Sequence, residues 1–135
     1  MKECTLGIVK PDAYRFTEEI MLAIERAGLK IVTHKTVQLT AQKARRFYWE
    51  HRKRDFFEEM TAHMASGPIT TMVIEGDDAV TRWRELMGPT DPDRAGPETI
   101  RRRFGTNKGK NAVHGSDSNW AAVREIDLLF PELSA

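Results

Sequence analysis

Two spacings of apolar residues alternate along the chain and predict its secondary structure. Short runs rich in Val, Ile and Thr predict β-strands at residues 5–9, 30–39, 69–75 and 112–113. Between them, apolar residues recur every three or four positions, which predicts helices at residues 17–27, 40–51, 56–65, 77–87 and 119–129, with a brief helical turn at 100–103. We therefore expect strands and helices to alternate over the whole chain.

Residues that favour helix ends support these boundaries. Thr17 is expected to cap the first helix and Thr40 to begin the second, whereas Gly28 and Gly88 are expected to end the first and fourth. Prolines recur within residues 89–97, which predicts a long, stiff and ordered loop. The last helix is expected to bury an apolar stripe formed by Val123, Ile126 and Phe130.

The order of these elements predicts an α/β fold of the α+β type. Two β-α-β units suit a ferredoxin-like, four-stranded antiparallel sheet with helices on one face. A helical hairpin after the second strand and the long proline-rich loop would be insertions into this plan. With 135 residues, the chain is expected to form a single domain over residues 1–135.

Composition excludes several classes of protein. The net charge of +1 gives no global field towards nucleic acid or membrane, and no apolar run approaches the length of a membrane span. The single cysteine, Cys4, excludes an internal disulfide and fits a reducing compartment. The first residues lead directly into a strand and do not resemble a secretory signal. We therefore expect a cytoplasmic protein without membrane or specific nucleic-acid partners.

The segment 111–118 is the strongest candidate for chemistry. His114 lies between a short apolar strand and small polar residues that can begin a helix, where backbone N–H groups favour anions. A neutral imidazole is a competent nucleophile near pH 7. The alternative is an ordinary capped helix start that carries a histidine by chance.

Other polar residues at the ends of predicted elements have ordinary explanations when each is considered alone. A lysine can end a strand, an arginine can compensate a helix dipole or belong to a solvated basic patch, and a threonine or asparagine can form a bend. Taken together they supply what a polyphosphate site needs, because guanidinium groups bind phosphate oxygens bidentately and lysine adds a point charge. These candidates are Lys10, Arg84, Thr90, Arg101 and Asn111.

Ordered motifs along nearly the whole chain carry a family resemblance. They are TLGIVKPDA at 5–13, FF at 56–57, SGP at 66–68, MGPTDP at 87–92, TIR at 99–101, NAVHGSDS at 111–118 and EI at 125–126. In this order they resemble the nucleoside diphosphate kinases. The last long motif is highly specific for that family, so the resemblance implies its ferredoxin-like fold and its activity.

The resemblance implies a role for each candidate in ping-pong phosphate transfer from a nucleoside triphosphate, typically ATP, which maintains NTP and dNTP pools. His114 resembles the nucleophile that becomes a pros-phosphohistidine, Glu125 the carboxylate that orients its ring, and Ser116 the hydroxyl bonded to that carboxylate. The nucleotide and its phosphates would be held by Lys10, Tyr48, Phe56, Arg84, Thr90, Arg101 and Asn111.

Within that set, the implied tasks differ. Arg84, Thr90 and Arg101 resemble the phosphate donors, and Asn111 a sugar-hydroxyl ligand. Lys10 resembles a lysine that contacts both the ribose hydroxyl and the transferring phosphate. Tyr48 resembles a hydroxyl near the nucleophile, and Phe56 resembles the aromatic ring on which the base stacks, the base platform. The last two also have a simpler explanation as core residues. Mg²⁺ would arrive with the nucleotide, since no carboxylate cluster resembles a dedicated metal cage.

The chain departs from the family pattern in three places. Residues 13–16 form a shorter connection than usual, Asp55 replaces a proline before the base platform, and Lys108 and Lys110 replace an aliphatic residue and an arginine. The resemblance implies a homo-oligomer, with a hexamer or a tetramer ranked close together and a dimer also possible. Two other classes remain as alternatives, a non-catalytic nucleotide-binding relative and, less favoured, an RNA-binding module on a ferredoxin-like sheet.

Overall fold

The computed structural model describes residues 2–134, and Met1 and Ala135 of the predicted domain lie outside the described residues. The strands of the described range are β1 (Lys2–Val9), β2 (Lys30–Val37), β3 (Ile69–Asp77) and β4 (Val113–Gly115). Its α-helices are α1 (Thr17–Arg26), α2 (Ala41–Phe47), α3 (Phe57–Met64), α4 (Ala79–Met87), α5 (Ile100–Phe104) and α6 (Asn119–Leu129). Short 3₁₀ helices occupy Pro11–Phe16, Trp49–His51, Pro92–Arg94 and Pro131–Ser134.

The strands form an antiparallel sheet in the order β2-β3-β1-β4. This is the order of a ferredoxin-like fold, so the predicted α+β class and antiparallel sheet are confirmed. The hairpin of α2 and α3 is inserted between β2 and β3, and the proline-rich loop lies between α4 and α5.

Helices cover both faces of the sheet, so the expectation of helices on one face is wrong. Side chains of β1 alternate between two cores, with Val9 packing against α1 and α4 and with Leu6 and Ile8 packing against α2, α3 and α6. The last five residues of β1 are buried without a break. An unbroken apolar run of this kind is typical of a strand covered on both sides.

Strand β4 is short, and its pairing with β1 determines where His114 lies. Ile8 is opposite His114 in the register, and Gly7 is opposite Gly115. The fully buried Trp83 of α4 packs beside Gly115, and its indole Nε1 donates to the carbonyl of His114 at 3.2 Å. Helix α4 then ends at Gly88, whose φ of +86° favours glycine.

The structure corrects three local expectations. The hydroxyl of Thr17 donates to the carbonyl of Tyr14 at 2.6 Å instead of capping α1, because the shortened connection enters the helix through a 3₁₀ turn. Ala112 lies outside β4, because its φ is +75°. Val123 is 62% exposed, and α6 instead buries a face that includes Ala122 and Glu125.

The predicted helices at 40–51 and 77–87 also have different bounds. The first is α2 followed by a 3₁₀ turn at Trp49–His51. The second begins only at Ala79, because Asp78 adopts a left-handed conformation with φ of 53°. The amide of Val80 is bonded by the carboxylate of Glu3 at 2.9 Å, so a distant strand residue takes the place of a local cap.

Within residues 2–134, no helix combines the length and the apolar character needed to cross a membrane. Cys4 is partly buried on β1. Burial, together with the nearby carboxylates of Glu75 and Glu3, raises the pKa of its thiol. A raised thiol pKa disfavours the reactive thiolate, which agrees with a structural role for this cysteine.

Replacing Gly115 with alanine is expected to lower the free energy of unfolding by about 1–3 kcal/mol. A Cβ there would lie 2.7 Å from two atoms of the Trp83 indole and 3.0 Å from Met87 Cε. Equilibrium urea unfolding measures the change. Gly96→Ala is the matched control, because a Cβ at that position meets no atom within 4 Å. Equal losses in the two variants would contradict the prediction.

Candidate functional site

A cavity of about 880 Å³ lies between the α2–α3 hairpin and the end of the sheet that carries β4. All but one of the residues predicted for the site line it, although they come from distant parts of the sequence. They are Lys10, Tyr48, Phe56, Arg84, Thr90, Arg101, Asn111, His114 and Glu125. The remaining predicted residue, Ser116, is fully buried and does not line the cavity.

Among residues 2–134, His114 has a hydrogen-bond partner at only one side of its ring. Its Nε2 lies 2.9 Å from Oε1 of Glu125, and the hydroxyl of Ser116 donates to the same oxygen at 2.8 Å. If Nε2 carries the proton towards the carboxylate, Nδ1 keeps its lone pair. The arrangement therefore leaves Nδ1 as the nucleophilic nitrogen of an oriented ring.

Glu125 is a buried carboxylate that remains ionised. Burial by itself raises its pKa, but the hydrogen bonds from His114 and Ser116, with the charges of His114 and Arg124, outweigh burial and lower the pKa below its ordinary value. A negative charge at this position stabilises positive charge on the imidazole. The pair can therefore support a histidine that becomes cationic or phosphorylated.

Two aromatic rings fix the orientation of His114 further. The rings of Phe47 and Tyr48 contact it edge to face, with centroids 5.1 and 5.7 Å away. The hydroxyl of Tyr48 is buried and has no hydrogen-bond partner among residues 2–134. Burial and the charge of Glu125 raise the pKa of Tyr48, so the hydroxyl stays protonated. It is a donor available to a group that enters the cavity.

Lys10 follows β1 directly and points its ammonium group at Asn111. Its Nζ donates to Oδ1 of Asn111 at 2.8 Å, and Nδ2 of Asn111 donates to the carbonyl of Thr90 at 3.1 Å. Burial and the charge of Arg101 lower the pKa of Lys10 to about 8, against an opposing effect of Asp12. The lysine is therefore still mostly charged at neutral pH.

Arg101 is anchored by backbone carbonyls from two separate segments. Its Nη1 donates to Gly88 at 3.0 Å, its Nη2 to Val113 at 2.9 Å, and its Nε to Asn111 at 3.3 Å. Burial and the neighbouring Arg84 lower its pKa to about 10, which leaves it charged at neutral pH. Arg84 is exposed. Two guanidinium groups beside a lysine favour binding of an anion with several charges.

Several residues around Phe56 and beside the arginines line the cavity without a role predicted from the sequence. Phe56 is 49% exposed, and its ring centroid is 6.0 Å from that of His51. Further lining residues without an assigned role are Phe47, Glu50, Glu59, Met60, His63 and Asp117. For Glu59 and His63, the spacing of four residues indicates that both lie on the same face of a helix, here the face towards the cavity.

Within residues 2–134, no cluster of three or more His, Cys, Asp or Glu side chains is arranged to hold a metal ion. The cavity instead places two buried or partly buried cationic side chains, Lys10 and Arg101, beside His114 and near Arg84. These groups fit an anion that brings its own metal, since phosphate oxygens are hard ligands of the kind that Mg²⁺ prefers.

Comparisons with known proteins agree with one another. The family model described as nucleoside diphosphate kinase matches residues 3–134. A nucleoside diphosphate kinase of Desulfovibrio desulfuricans is 47% identical over 132 residues, which are 96% of this chain and 95% of the relative. The nucleoside diphosphate kinase structure from Aquifex aeolicus has a TM-score of 0.95 at 43% identity and covers 98% of both chains.

A third relative was solved with a ligand. The structure of a halophilic nucleoside diphosphate kinase from Halobacterium salinarum in complex with CDP has a TM-score of 0.92 at 39% identity. The match covers 96% of this chain and 88% of that one.

Replacing Glu125 with glutamine is expected to weaken the acid dependence of stability. A carboxyl whose pKa is lowered by folding stabilises the fold above its unfolded value of about 4.3, and the contribution is lost as the pH falls through the folded-state pKa. Glutamine keeps an oxygen acceptor for His114 and Ser116 but carries no charge. Urea unfolding at a series of pH values from about 7 to about 3 measures the effect. Equal acid-induced losses in both proteins would contradict it.

Proposed function

Because the chain belongs to the nucleoside diphosphate kinase family, a family of phosphotransferase enzymes, we propose that it moves the terminal phosphate of a nucleoside triphosphate to a nucleoside diphosphate through a phosphohistidine on His114. The observation that carries this proposal is the 2.9 Å bond between Nε2 of His114 and Glu125, which leaves Nδ1 for attack inside a cationic cavity. ATP is the expected common donor, and the reaction would maintain NTP and dNTP pools.

The transfer proceeds in two half-reactions of the ping-pong type. Nδ1 of His114 attacks the γ-phosphorus, so that a P–N bond forms while the bond from phosphorus to the β-phosphate oxygen breaks. The nucleoside diphosphate leaves, and a terminal phosphate oxygen of a second diphosphate attacks the phosphohistidine to regenerate the free imidazole. Glu125 balances the charge of the ring in both half-reactions, and Ser116 keeps that carboxylate in place.

The remaining side chains bind and orient the nucleotide. Arg84, Thr90 and Arg101 hold the β- and γ-phosphates, and Tyr48 donates its unpartnered hydroxyl near the transferring group. Lys10 contacts the ribose hydroxyl and the moving phosphate, Asn111 binds the sugar, and Phe56 stacks on the base. Stacking on a flat ring tolerates different bases. The CDP complex of the Halobacterium salinarum relative supports nucleotide binding in this fold.

Mg²⁺ enters the proposed reaction as part of the nucleotide. Bound to phosphate oxygens, it would neutralise charge that builds up between the β- and γ-phosphates. The cationic lining of the cavity fits this arrangement, because Lys10, Arg84 and Arg101 can bind phosphate oxygens directly, without a metal ion already bound to the protein.

We propose the same assembly and location that the sequence suggested. The chain would act as a single kinase domain over residues 1–135 and form a homo-oligomer, a hexamer or a tetramer, with a dimer as a further alternative. The compartment would be the cytoplasm, which agrees with a single cysteine and no possible internal disulfide. Nucleoside di- and triphosphates would be its ligands.

Mixing the protein with ATP and Mg²⁺ is expected to add one phosphate, and a GDP chase is expected to remove it. Intact mass after an alkaline quench measures both steps, because phosphohistidine survives in alkali. His114→Ala should gain no phosphate, since it lacks the nucleophile. Bound ATP without any mass gain in the folded wild-type protein would contradict the proposed function and favour a non-catalytic nucleotide-binding relative.

The value of kcat/KM for ATP is expected to fall as the pH rises through about 8, because the free protein then loses the charge of Lys10. CDP is a suitable acceptor, since its base does not titrate in this range. Lys10→Gln should be slower by about tenfold or more, the loss of one charged hydrogen bond, and should lack this alkaline fall. A parallel alkaline fall in both proteins would contradict the assignment.

A further inference from the structure

Ala112 adopts a backbone conformation that an alanine disfavours. Its φ is +75°, and the amide of Val113 donates to the carbonyl of Asn111 at 2.9 Å, two residues back. These features define a γ-turn of the rare, strained form. A strained turn of this kind persists only where the surrounding structure enforces it.

Asp12 supplies a carboxylate that holds this turn from a position 100 residues earlier in the chain. Its Oδ2 accepts the amide of Ala112 at 3.0 Å, and the carbonyl of Ala112 accepts the backbone amide of Lys10 at 2.8 Å. Both polar groups of the strained residue are therefore bonded to the short segment that follows β1. The side chain of Asp12 is only 7% exposed, so water competes little with this bond.

The turn lies between two residues of the proposed reaction. Asn111 precedes it and bonds the ammonium group of Lys10, whereas His114 follows it by two residues on β4. If Ala112 relaxed to a negative φ, the peptide between them would rotate, and Asn111 and His114 would no longer keep their present relation. The turn therefore sets the relative positions of a nucleotide-binding side chain and the nucleophile.

The second oxygen of Asp12 reaches the helical hairpin. Oδ1 lies 2.9 Å from Nε2 of His63, which belongs to α3 and lines the cavity. Helix α3 begins directly after Phe56, the proposed base platform. One buried carboxylate thus connects the base end of the cavity with the turn that leads to the nucleophile.

We propose that Asp12 is a positioning residue for phosphate transfer: it holds the strained turn at Ala112, which places Asn111 and His114, and through His63 it keeps α3 in register with them. The inference rests on the proposed function. Asp12 does not line the cavity, so it acts through these neighbours rather than on the nucleotide.

The rate at which His114 takes up phosphate tests the turn. In a single turnover with saturating ATP and Mg²⁺, followed by quench and intact mass, Asp12→Ala is expected to slow phosphorylation by about 100-fold, the effect of a misplacement of about 1 Å. Asp12→Asn keeps an oxygen for the Ala112 amide and should recover most of the rate. If Asp12→Ala does not fold, Asp12→Leu fills the space without an acceptor and replaces it.

Ala112→Gly makes the test specific for the turn. Glycine populates positive φ as readily as negative φ, so the double variant Asp12→Ala/Ala112→Gly is expected to be at least about tenfold faster than Asp12→Ala alone. Glu3→Ala is the matched control, because Glu3 also bonds a backbone amide, that of Val80, but far from the cavity. Its rate of phosphorylation should equal that of the wild type.

The link to α3 is tested by two substitutions of His63. His63→Leu removes the bond to Asp12 and is expected to raise KM for the nucleoside diphosphate by about tenfold, the loss of one charged hydrogen bond, with a smaller effect on kcat. His63→Gln can donate from its amide near the position of Nε2 and should bring KM most of the way back. Equal KM values in these two variants would overturn the role of His63.

The outcomes separate this inference from the proposed function. If the wild type is phosphorylated and Asp12→Ala is phosphorylated at the same rate, the positioning role is overturned while the function stands. It is also overturned if Ala112→Gly does not speed the Asp12→Ala protein. A wild type that takes up no phosphate overturns the proposed function, and the positioning role falls with it.

Discussion

The antiparallel contact between β4 and β1 is the constraint on which the candidate site depends. β4 has only three residues, too few to persist without support, yet it carries His114. Side chains from elsewhere hold its carbonyls: Trp83 bonds that of His114, and Arg101 bonds that of Val113. Glycines at 7 and 115 let the strands lie close to the buried indole. The contacts that pack β4 against the core are therefore also the contacts that position His114.

Charge is separated across this contact in a way that favours an anionic ligand. Glu125 lies behind His114 and keeps its negative charge because donors surround it. Lys10 and Arg101 lie on the cavity side, where burial lowers the pKa of each. Repulsion from Arg101 lowers the pKa of Lys10 further, and repulsion from Arg84 lowers that of Arg101. A polyphosphate would relieve that repulsion, so part of the unfavourable energy stored in the free protein is returned when an anion binds. In the proposed reaction, binding of the anion and orientation of His114 would thus use opposite charges on either side of one imidazole ring.

Local sequence signals predicted the features that local physics controls. Thr40 does cap α2, accepting the amide of Lys43 at 3.0 Å, and Gly88 ends α4. Two of the errors are at residues whose conformation or exposure is set by distant partners. Ala112 is held in its turn by Asp12, and Val123 is exposed because α6 turns Glu125 towards His114. The motif resemblance brought the lining residues together, but it could not give the contact of Asp12 with His63, since neither residue signals the other in sequence.

The hairpin that carries Phe56 is fastened to the rest of the site at two points. Arg124 donates to the carbonyls of Arg46 and Phe47, where α2 ends, and His63 of α3 bonds Asp12. Arg124 directly precedes Glu125, whereas Asp12 holds the turn that leads to His114. Each helix of the hairpin is thus joined to a residue next to Glu125 or to the residue that bonds the turn before His114. In the proposed reaction, a base stacked on Phe56 would therefore contact a hairpin whose supports also orient His114, so that a shift of the hairpin would disturb the imidazole.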